Sequence, residues 1–291
     1  MVKEIEFREN TNSFQNKLKD DVKNIKNEDK VMIKADKTTN YYKMAKEDYN
    51  EHMERNITKE YKKASQNDFE NVTKEDKEIA EKLEIDDRVY TTSKREAFIT
   101  LLDHKPNYKN TPKFRLINPT KQELGKVSKS KLENIVTIVK EKSGLQLWKN
   151  TDSVITWFNK LQNKQQLKFI QFDICDFYPS IFEELIRKAI NHAEKYINIS
   201  EDDKDLFYHT KKSFLFNNNQ PWIKKQNSAR DVTMGSYDGA ETCELCDLYL
   251  LSLCTKVIPD LGMYRDDGLA VVRCTERQRE KLKQELSKVF N

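Results

Sequence analysis

Apolar residues recur along the chain at two spacings, and these spacings predict helices separated by short strands. Repeats of three and four residues indicate amphipathic helices, whereas short alternating or continuous apolar runs indicate strands. With only six Gly and six Pro, the chain has few signals for tight turns. Helices are predicted over 1–29, 46–63, 74–84, 130–142, 153–161, 182–196, 238–256 and 277–290, with a further start capped by Ser200, and strands over 31–34, 98–103, 113–117 and 168–174.

Two segments carry acidic residues where an apolar stretch ends. The run Lys168–Ile174 has apolar residues on both faces, which predicts a fully buried strand with Asp173 near its end. Residues 262–272 predict a hairpin that breaks at Asp267-Gly268, a favoured two-residue turn signal. The order of strand, helices, long helix, hairpin and helix predicts an α+β fold with helices against an antiparallel sheet.

These acidic residues meet if the hairpin pairs beside the strand. Asp173, Asp266 and Asp267 then supply oxygen ligands for two divalent metals about 3.5–4 Å apart, the arrangement used in nucleotidyl transfer. Mg²⁺ keeps several waters, so two or three carboxylates suffice. A plain turn rich in Asp is the alternative for each pair taken alone, and the ordered set favours the metal site.

Composition changes this picture only locally. The chain is 37% hydrophobic, 34% charged and 10% aromatic, with net charge +4, which indicates a folded core and a charged periphery. Between Lys105 and Lys131, eight basic residues accompany one acidic residue, Glu123. That local excess suits a polyanion such as nucleic acid or a triphosphate. A solvated, lysine-rich loop is an equal alternative.

The cysteines and the apolar runs indicate the compartment in which the protein is expected. Five cysteines at irregular spacing do not indicate a disulfide framework. Cys243-x-x-Cys246 has the spacing of a redox or zinc motif, but it falls in a predicted helix, which favours a packing role. No apolar run approaches the ~18–20 residues that span a bilayer, and the first ten residues are charged. We expect a soluble, intracellular protein without a membrane partner, with nucleus or cytoplasm left open.

Five short motifs resemble the fingers and palm of a reverse transcriptase, an RNA-directed DNA polymerase of retroelements. Phe172–Ile181 resembles the first catalytic motif, Met234–Ser236 the Gln/Met-Gly-Ser/Thr turn, and Tyr264–Asp267 the Tyr-x-Asp-Asp box, the most specific of the set. Lys113–Ile117 resembles the fingers strand that grips the incoming triphosphate. Lys34–Lys37 resembles an upstream fingers motif of Penelope-like and related retroelement enzymes.

The resemblance implies an architecture as well as a reaction. It spans roughly residues 30–285 and implies a right-hand palm, an antiparallel sheet backed by helices, after a mostly helical fingers region. The expected division is fingers with an N-terminal helical extension over 1–166 and palm over 167–291, with 182–230 returning in part to the fingers. In the family a thumb follows the hairpin, so we expect a chain truncated at its C-terminal side, with the thumb absent.

The resemblance also assigns roles to individual residues. Positions for two Mg²⁺ ions, with Mn²⁺ as an alternative, are Asp173, Asp266, Asp267 and Ile174. Positions near the nucleotide are Lys37, Lys113, Arg115, Asp176, Phe177, Tyr178 and Gly235. Positions near template or primer are Met234, Ser236 and Tyr264.

Some of these roles have a physical basis. A ring at Tyr178 would clash with a ribose 2′-hydroxyl, which favours deoxynucleotides and argues against viral RNA-dependent RNA polymerases, which carry an Asp there. A core aromatic is the alternative. Lys113 and Arg115 lie two apart and share one face of a strand, and a guanidinium binds phosphate oxygens bidentately. Solvated charges on an edge strand are the alternative, and Lys37 is the weaker candidate.

The implied function is template-directed DNA synthesis from dNTPs on a primed RNA or DNA template. The alternative is a non-catalytic or truncated palm that binds nucleic acid without extending it, and a template-independent nucleotidyltransferase or nuclease is a weaker third option. One departure from the family is the sequence Tyr237–Ala240 after the Gly-Ser turn, where Pro or another small residue is usual. The departure puts template contacts there in doubt. Retroelement type, natural template and oligomeric state stay open.

Overall fold

The computed structural model describes residues 17, 20, 23–24, 29–88, 95–119, 123–175, 177–212, 214–225, 232 and 235–290. Most of the predicted N-terminal helix over 1–29 lies outside the described residues, as do Asp176 and Met234. The chain forms two compact units, unit 1 with Met1–Lys59 and Phe98–Leu116, and unit 2 with Glu60–Ala97 and Ile117–Asn291. The division into fingers and palm at residue 166 stays a prediction.

The described ranges 29–59 and 98–116 of unit 1 contain two small two-stranded sheets and a helix. β1 and β2 form a hairpin in which Lys34 lies opposite Tyr41, and β4 pairs with β5. The helix buries Met53 and Ile57, which are four residues apart and therefore share a face. The elements are β1 (Lys30–Lys34), β2 (Tyr41–Ala45), α1 (Lys46–Glu60), β4 (Phe98–Leu101) and β5 (Phe114–Ile117).

One predicted helix is shorter in the structure. The charged pattern over 46–63 predicts one helix, but α1 ends at Glu60, and β3 (Tyr61–Lys63) is a strand of unit 2. β3 pairs with β9 (Gln220–Lys224), which in turn pairs with β8 (Leu215–Asn217). The local pattern was misleading because hydrogen bonds from a partner distant in sequence, together with burial of the Tyr61 ring, favour the strand.

Helices of unit 2 pack around one long buried helix. α8 (Gly239–Val257) contacts α3 (Glu123–Ser143), α6 (Glu183–Ala193) and a four-stranded sheet, so apolar residues on several of its faces are buried. The side chain of Ser200 accepts a hydrogen bond from the Asp203 amide and caps α7, which confirms the predicted helix start. The other helices are α2 (Gln66–Lys82), α3 (Glu123–Ser143), α4 (Thr151–Lys160), α5 (Phe177–Ser180), α6 (Glu183–Ala193), α7 (Glu201–His209) and α9 (Glu276–Ser287).

A four-stranded sheet in unit 2 holds the acidic motifs, with strand order β6-β10-β11-β7. The prediction of a fully buried strand at 168–174 is wrong, because β7 lies at the edge of this sheet. Ile170 is 2% exposed on the face toward α8, whereas Phe169 on the opposite face is 44% exposed. The strands are β6 (Gln146–Leu147), β7 (Lys168–Asp173), β10 (Leu261–Tyr264) and β11 (Asp267–Val272).

Two findings bear on the cellular setting. All five cysteines are free, and Cys243 and Cys246 are buried in α8 as packing residues. Over the described ranges, no helix combines the length and the apolar character needed to cross a membrane.

Candidate active site

Strand register brings two of the predicted carboxylates together. β11 runs antiparallel to β7, and Asp267 lies directly opposite Asp173, which confirms the expected pairing of hairpin and strand. Residues directly opposite on neighbouring strands project to the same face, with Cβ atoms about 4.5–5.5 Å apart. Both residues are exposed, so this face presents two adjacent carboxylates to solvent.

The hairpin turn lies two residues earlier than the sequence predicts. Tyr264 pairs with Asp267, so the turn consists of Arg265 and Asp266, with Arg265 in the left-handed region at φ 54°. The predicted break at Asp267-Gly268 is wrong, because both residues belong to β11. A glycine is needed at position 268 for a different reason, because a Cβ there would lie 2.0 Å from Cζ of Phe172. The glycine therefore permits close packing of the two strands.

Asp266 is tied to the segment that follows β7. The Ile174 amide donates a hydrogen bond of 2.9 Å to the carbonyl of Asp266. This bond fixes the hairpin tip beside the end of β7, and Asp266 itself is half-buried. Ile174, the fourth predicted metal position, has only its backbone carbonyl to offer a cation.

The donor set is suited to hard cations. Within the described part of the chain, no three His, Cys, Asp or Glu side chains form a ready-made metal cluster. Asp173 and Asp267 nevertheless offer carboxylate oxygens side by side, with Asp266 in the adjoining turn. Because Mg²⁺ takes oxygen ligands and retains several waters, these residues are chemically compatible with it.

Tyr178 is anchored to the helix beneath the hairpin. It lies half-buried in α5, and its hydroxyl forms a hydrogen bond with the thiol of Cys243 in α8. Burial, with Cys243 and Asp247 nearby, raises the pKa of Tyr178 to about 12. The neighbouring Phe177 is buried, with its ring 6.2 Å from that of Tyr178. The Tyr178 ring therefore has packing contacts as well as a fixed position.

The turn before α8 depends on a glycine. Gly235 has φ 104°, and a Cβ there would lie 2.3 Å from the carbonyl oxygen of Asn118. Asn118 is itself fixed, since its side-chain Nδ2 donates to the Phe214 carbonyl at 2.9 Å. The adjacent Ser236 hydroxyl is buried and has no hydrogen-bond partner within the described ranges. Met234, predicted to contact template, is outside those ranges.

The predicted triphosphate residues belong to unit 1. Lys113 directly precedes β5, and its carbonyl accepts a bond of 2.9 Å from the Leu102 amide. Nη1 of Arg115 donates to both carboxylate oxygens of Asp36, at 3.0 and 2.9 Å. Lys37, next to Asp36, has φ 62°. Arg115 is therefore an oriented cation rather than a freely solvated one.

Similar solved structures are telomerases from two Candida species. The apo telomerase of Candida tropicalis, truncated from its C-terminal domain, matches with TM-score 0.61 and 14% identity over 91% of this chain and 56% of that chain. The same species' telomerase with the TWJ fragment of telomeric RNA matches with TM-score 0.60 and 15% identity over 92% and 47%. The Candida albicans complex with that fragment gives 0.54 and 10% over 89% and 47%. The chain has a reverse-transcriptase-like fold.

At these low identities the likeness establishes the fold. The α+β class is confirmed, and the chain spans 47–56% of the length of these telomerase chains. No protein-family model and no curated protein matches. The Penelope-like or other retroelement branch stays a prediction.

Several basic residues of segment 105–131 already have acidic partners. Lys126 pairs with Glu123 at 2.7 Å, Lys129 with Glu241 at 3.4 Å, and Lys131 with Asp203 at 2.6 Å. Arg115 pairs with Asp36. Of the seven basic residues that the structure describes in this segment, four are thus compensated within the fold, so the excess available to a polyanion is smaller than the sequence count of eight against one suggests.

A buried ion pair at the start of α8 was missed in the sequence. Asp238 contacts the ammonium of Lys211 at 2.6 Å, and both side chains are 1% exposed. Its carboxylate also accepts bonds from the hydroxyls of Ser128 and Thr210. Burial works to raise the pKa of Asp238, but the Lys211 charge and the hydrogen bonds outweigh burial and lower it. The only sequence signal was Asp238 itself, in the departure from the family's Pro.

A second buried carboxyl in α8 was also missed. Asp247 is fully buried, and neither side-chain oxygen has a hydrogen-bond partner in the part of the chain described. Burial, then Glu244 and Asp266, raise its pKa well above the usual range. It lines a cavity of about 1180 Å³ with Tyr264 and Arg265. The three candidate metal ligands Asp173, Asp266 and Asp267 are not among the residues that line this cavity.

Proposed function

We propose that this protein is an RNA-directed DNA polymerase that adds deoxynucleotides to a primer 3′-hydroxyl. The observation that carries the proposal is the register of β7 and β11, which sets Asp173 against Asp267 beside the turn residue Asp266, in a reverse-transcriptase-like fold. Two of the similar telomerase structures are complexes with a fragment of telomeric RNA, which supports a nucleic-acid partner here.

In this proposal the chain's own residues do the positioning. Asp173, Asp266 and Asp267, with the Ile174 carbonyl, would hold two Mg²⁺ ions, or Mn²⁺ in their place. Such ions activate the 3′-hydroxyl and neutralise charge on the triphosphate. Because the two strand carboxylates are exposed and adjacent, they suit a substrate as wide as a primed template.

The remaining predicted residues select and orient the nucleotide and the template. Lys113, Lys37 and Arg115 bind phosphate oxygens, Lys as a point charge and Arg as a planar fork. By the family resemblance, Phe177 and Asp176 are assigned to positions where backbone amides would approach the triphosphate, and Gly235 to a position near the nucleotide. Tyr178 excludes the ribose 2′-hydroxyl. Template and primer contacts come from Met234, Ser236 and Tyr264.

Primer extension tests this function. A DNA primer on an RNA template is incubated with the protein and Mg²⁺ or EDTA, and with dNTPs or rNTPs in parallel. The expected result is Mg²⁺-dependent addition of the dNTP complementary to the template base. Addition that ignores the template base would instead identify a template-independent nucleotidyltransferase.

The rival function, nucleic-acid binding without synthesis, gives a different pattern in the same assay. Primer–template would bind with the salt dependence expected of phosphate contacts, but no nucleotide would be added in Mg²⁺ or in Mn²⁺. That pattern would replace the polymerase proposal with a binding module.

A further inference from the structure

We propose that Asp36 is a positioning residue for a polyphosphate site on unit 1, where it orients the guanidinium of Arg115 toward the bound triphosphate. The inference rests on the proposed function for its ligand, a nucleoside triphosphate. The inference adds a carboxylate to a site that otherwise consists of cations. It predicts that removing this negative charge weakens phosphate binding, whereas simple electrostatics predicts that binding tightens.

The contact is end-on. A single nitrogen of Arg115, Nη1, donates to both oxygens of Asp36 at 3.0 and 2.9 Å. A guanidinium carries five N–H donors in a rigid plane, so this contact fixes the plane while occupying one of its three nitrogens. The Asp36 side chain is 14% exposed and that of Arg115 is 33% exposed. Asp36 is therefore the more covered partner, and part of the Arg115 side chain reaches solvent.

Asp36 is held in place by backbone contacts. Its amide donates to the Leu101 carbonyl at 2.8 Å, and Ala35 forms a parallel bridge with Leu101. Ala35 also donates to the Asn40 carbonyl at 2.9 Å, which closes the turn after β1. Leu101 ends β4, and β4 pairs with β5, the strand of Arg115. Asp36 thus belongs to a fixed scaffold and is not a mobile counter-ion.

A second carboxylate anchors the far end of the same turn. One oxygen of Asp103 accepts bonds from the Thr38 hydroxyl at 2.8 Å, from Nδ2 of Asn40 at 3.0 Å and from the Tyr42 hydroxyl at 3.0 Å. The Asn40 hydrogen bond leads the interactions that lower the pKa of Asp103, so the acceptor is charged at neutral pH. Lys37, at φ 62°, lies between the two anchored points.

Two roles for Asp36 predict opposite effects on anion binding. As a bare negative charge, Asp36 would repel phosphate, and its removal would tighten binding. As a positioning residue, Asp36 restricts the Arg115 side chain before the ligand arrives. Without Asp36, the long Arg115 side chain loses its conformational entropy when the ligand binds, which makes binding less favourable. Removal would then weaken binding even though the site gains positive charge.

Calorimetric titration of the 291-residue chain with inorganic tripolyphosphate in EDTA shows, without catalysis, whether removing Asp36 weakens or tightens binding. We expect Asp36→Ala to weaken binding about tenfold, the loss of roughly one charge-assisted hydrogen bond. Asp36→Asn keeps an oxygen acceptor for Nη1 of Arg115, so its affinity should lie between those of the wild type and of Asp36→Ala. The control Glu54→Gln removes one exposed charge from α1 and should leave affinity within twofold.

Thermal unfolding of each variant separates positioning from loss of structure. If Asp36→Ala is unfolded, Asp36→Asn carries the test alone. Affinity for tripolyphosphate that is unchanged or tighter in a folded Asp36 variant would overturn the proposal. So would a wild type that binds no tripolyphosphate, or binding that survives Arg115→Gln undiminished.

Primer extension supplies the second readout. For Asp36→Ala we expect the KM for dNTP to rise about tenfold with kcat within about twofold, because the lost hydrogen bond orients a group that binds the ground-state ligand, and the KM of Asp36→Asn should lie between that value and the wild-type one. If the wild type extends no primer but binds tripolyphosphate through Arg115 and Asp36, the polymerase function fails and this inference stands. If the wild type extends primers and the Asp36 variants show an unchanged KM for dNTP, the polymerase function stands and this inference fails.

Discussion

At the scale of single residues, two glycines differ in why a side chain is disfavoured: one has only a left-handed backbone conformation, and the other also lies in close contact with a neighbouring carbonyl. Gly144 and Gly235 both have positive φ, at 69° and 104°. A Cβ on Gly144 would meet nothing within 4 Å, whereas one on Gly235 would meet the Asn118 carbonyl. Because backbone atoms cannot swing aside as a side chain can, the second position combines strain with a steric conflict.

We therefore expect Gly235→Ala to cost about 3 kcal/mol in the free energy of unfolding, from strain plus overpacking. Gly144→Ala, the matched control, should cost about 1 kcal/mol from strain alone. Urea denaturation at neutral pH measures both. Equal costs for the two variants would contradict a close approach at Gly235.

The sugar selection assigned to Tyr178 can be tested with two substitutions. Tyr178→Ala removes the ring, and we expect the preference for dNTPs over rNTPs, measured as the ratio of kcat/KM values, to fall about tenfold. Tyr178→Phe keeps the ring and loses only the hydrogen bond to Cys243. It should keep the preference within about twofold, and an unchanged preference in Tyr178→Ala would contradict the role assigned to the ring.

At the scale of elements, the first turn of α8 is fixed by a buried ion pair. Asp238 and Lys211 connect the start of α8 to the end of α7, and Ser128 connects the same carboxylate to α3. Removing one partner of such a pair leaves an uncompensated charge in the core. The position of the Gly-Ser turn before α8 therefore depends on this pair.

Stability should follow the titration of Asp238. Its folded pKa is lowered below the ordinary 3.8, so its contribution is present above pH 3.8 and is lost as pH falls through the lower folded value. Near pH 7, Asp238→Asn should cost about 3–5 kcal/mol, because it leaves Lys211 unpaired. The gap between wild type and variant should narrow below pH 3.8 in denaturant titrations. A constant gap from pH 7 to pH 3 would be inconsistent with this role.

The sequence predicted elements well where local spacing decides them. β1, β5 and α4 lie within two residues of their predicted bounds, since their apolar periodicity is intact. The sequence prediction failed where pairing with distant residues determines the element. β3 has the charged pattern of a helix end, but its pairing with β9 makes it a strand. The two-residue turn was misplaced because Gly268 serves strand packing against Phe172.

At the scale of the whole molecule, charge is distributed unevenly between compensated and uncompensated lysines. Lys126, Lys129 and Lys131 have carboxylate partners. Lys105 and Lys109 are exposed and have no ion-pair partner within the described ranges. Counting charges along the chain could not separate these groups, because the partners come from other elements.

This division predicts the salt dependence of nucleic-acid binding. Replacing Lys105 and Lys109 by Gln should reduce the slope of log K against log salt by about 0.9 for each phosphate that is no longer neutralised. Replacing Lys126 and Lys131 by Gln, the matched control, should change the slope less, because those charges are already paired. Fluorescence anisotropy with a primer–template across a salt series measures both slopes. Equal changes in the two double variants would contradict the division.

The candidate site was predictable in its residues but not in its assembly. The carboxylate motifs are readable in the sequence, yet their meeting depends on the sheet order that sets β11 beside β7. The pairing of Arg115 with Asp36, 79 residues apart, left no local signal. Contacts of this kind follow from topology, which short motifs do not determine.

The central claim is that the carboxylates paired across β7 and β11 perform metal-dependent nucleotide addition. The most direct test is single-turnover incorporation of one complementary dNTP by Asp173→Asn, with the exposed Asp202→Asn of α7 as charge-matched control. We predict that the control keeps the wild-type rate. Asp173→Asn, with an unchanged unfolding midpoint and unchanged primer–template affinity, should lose at least about a thousandfold, in line with losing transition-state charge stabilisation. A folded Asp173→Asn protein that incorporates nucleotide at the wild-type rate would contradict the account.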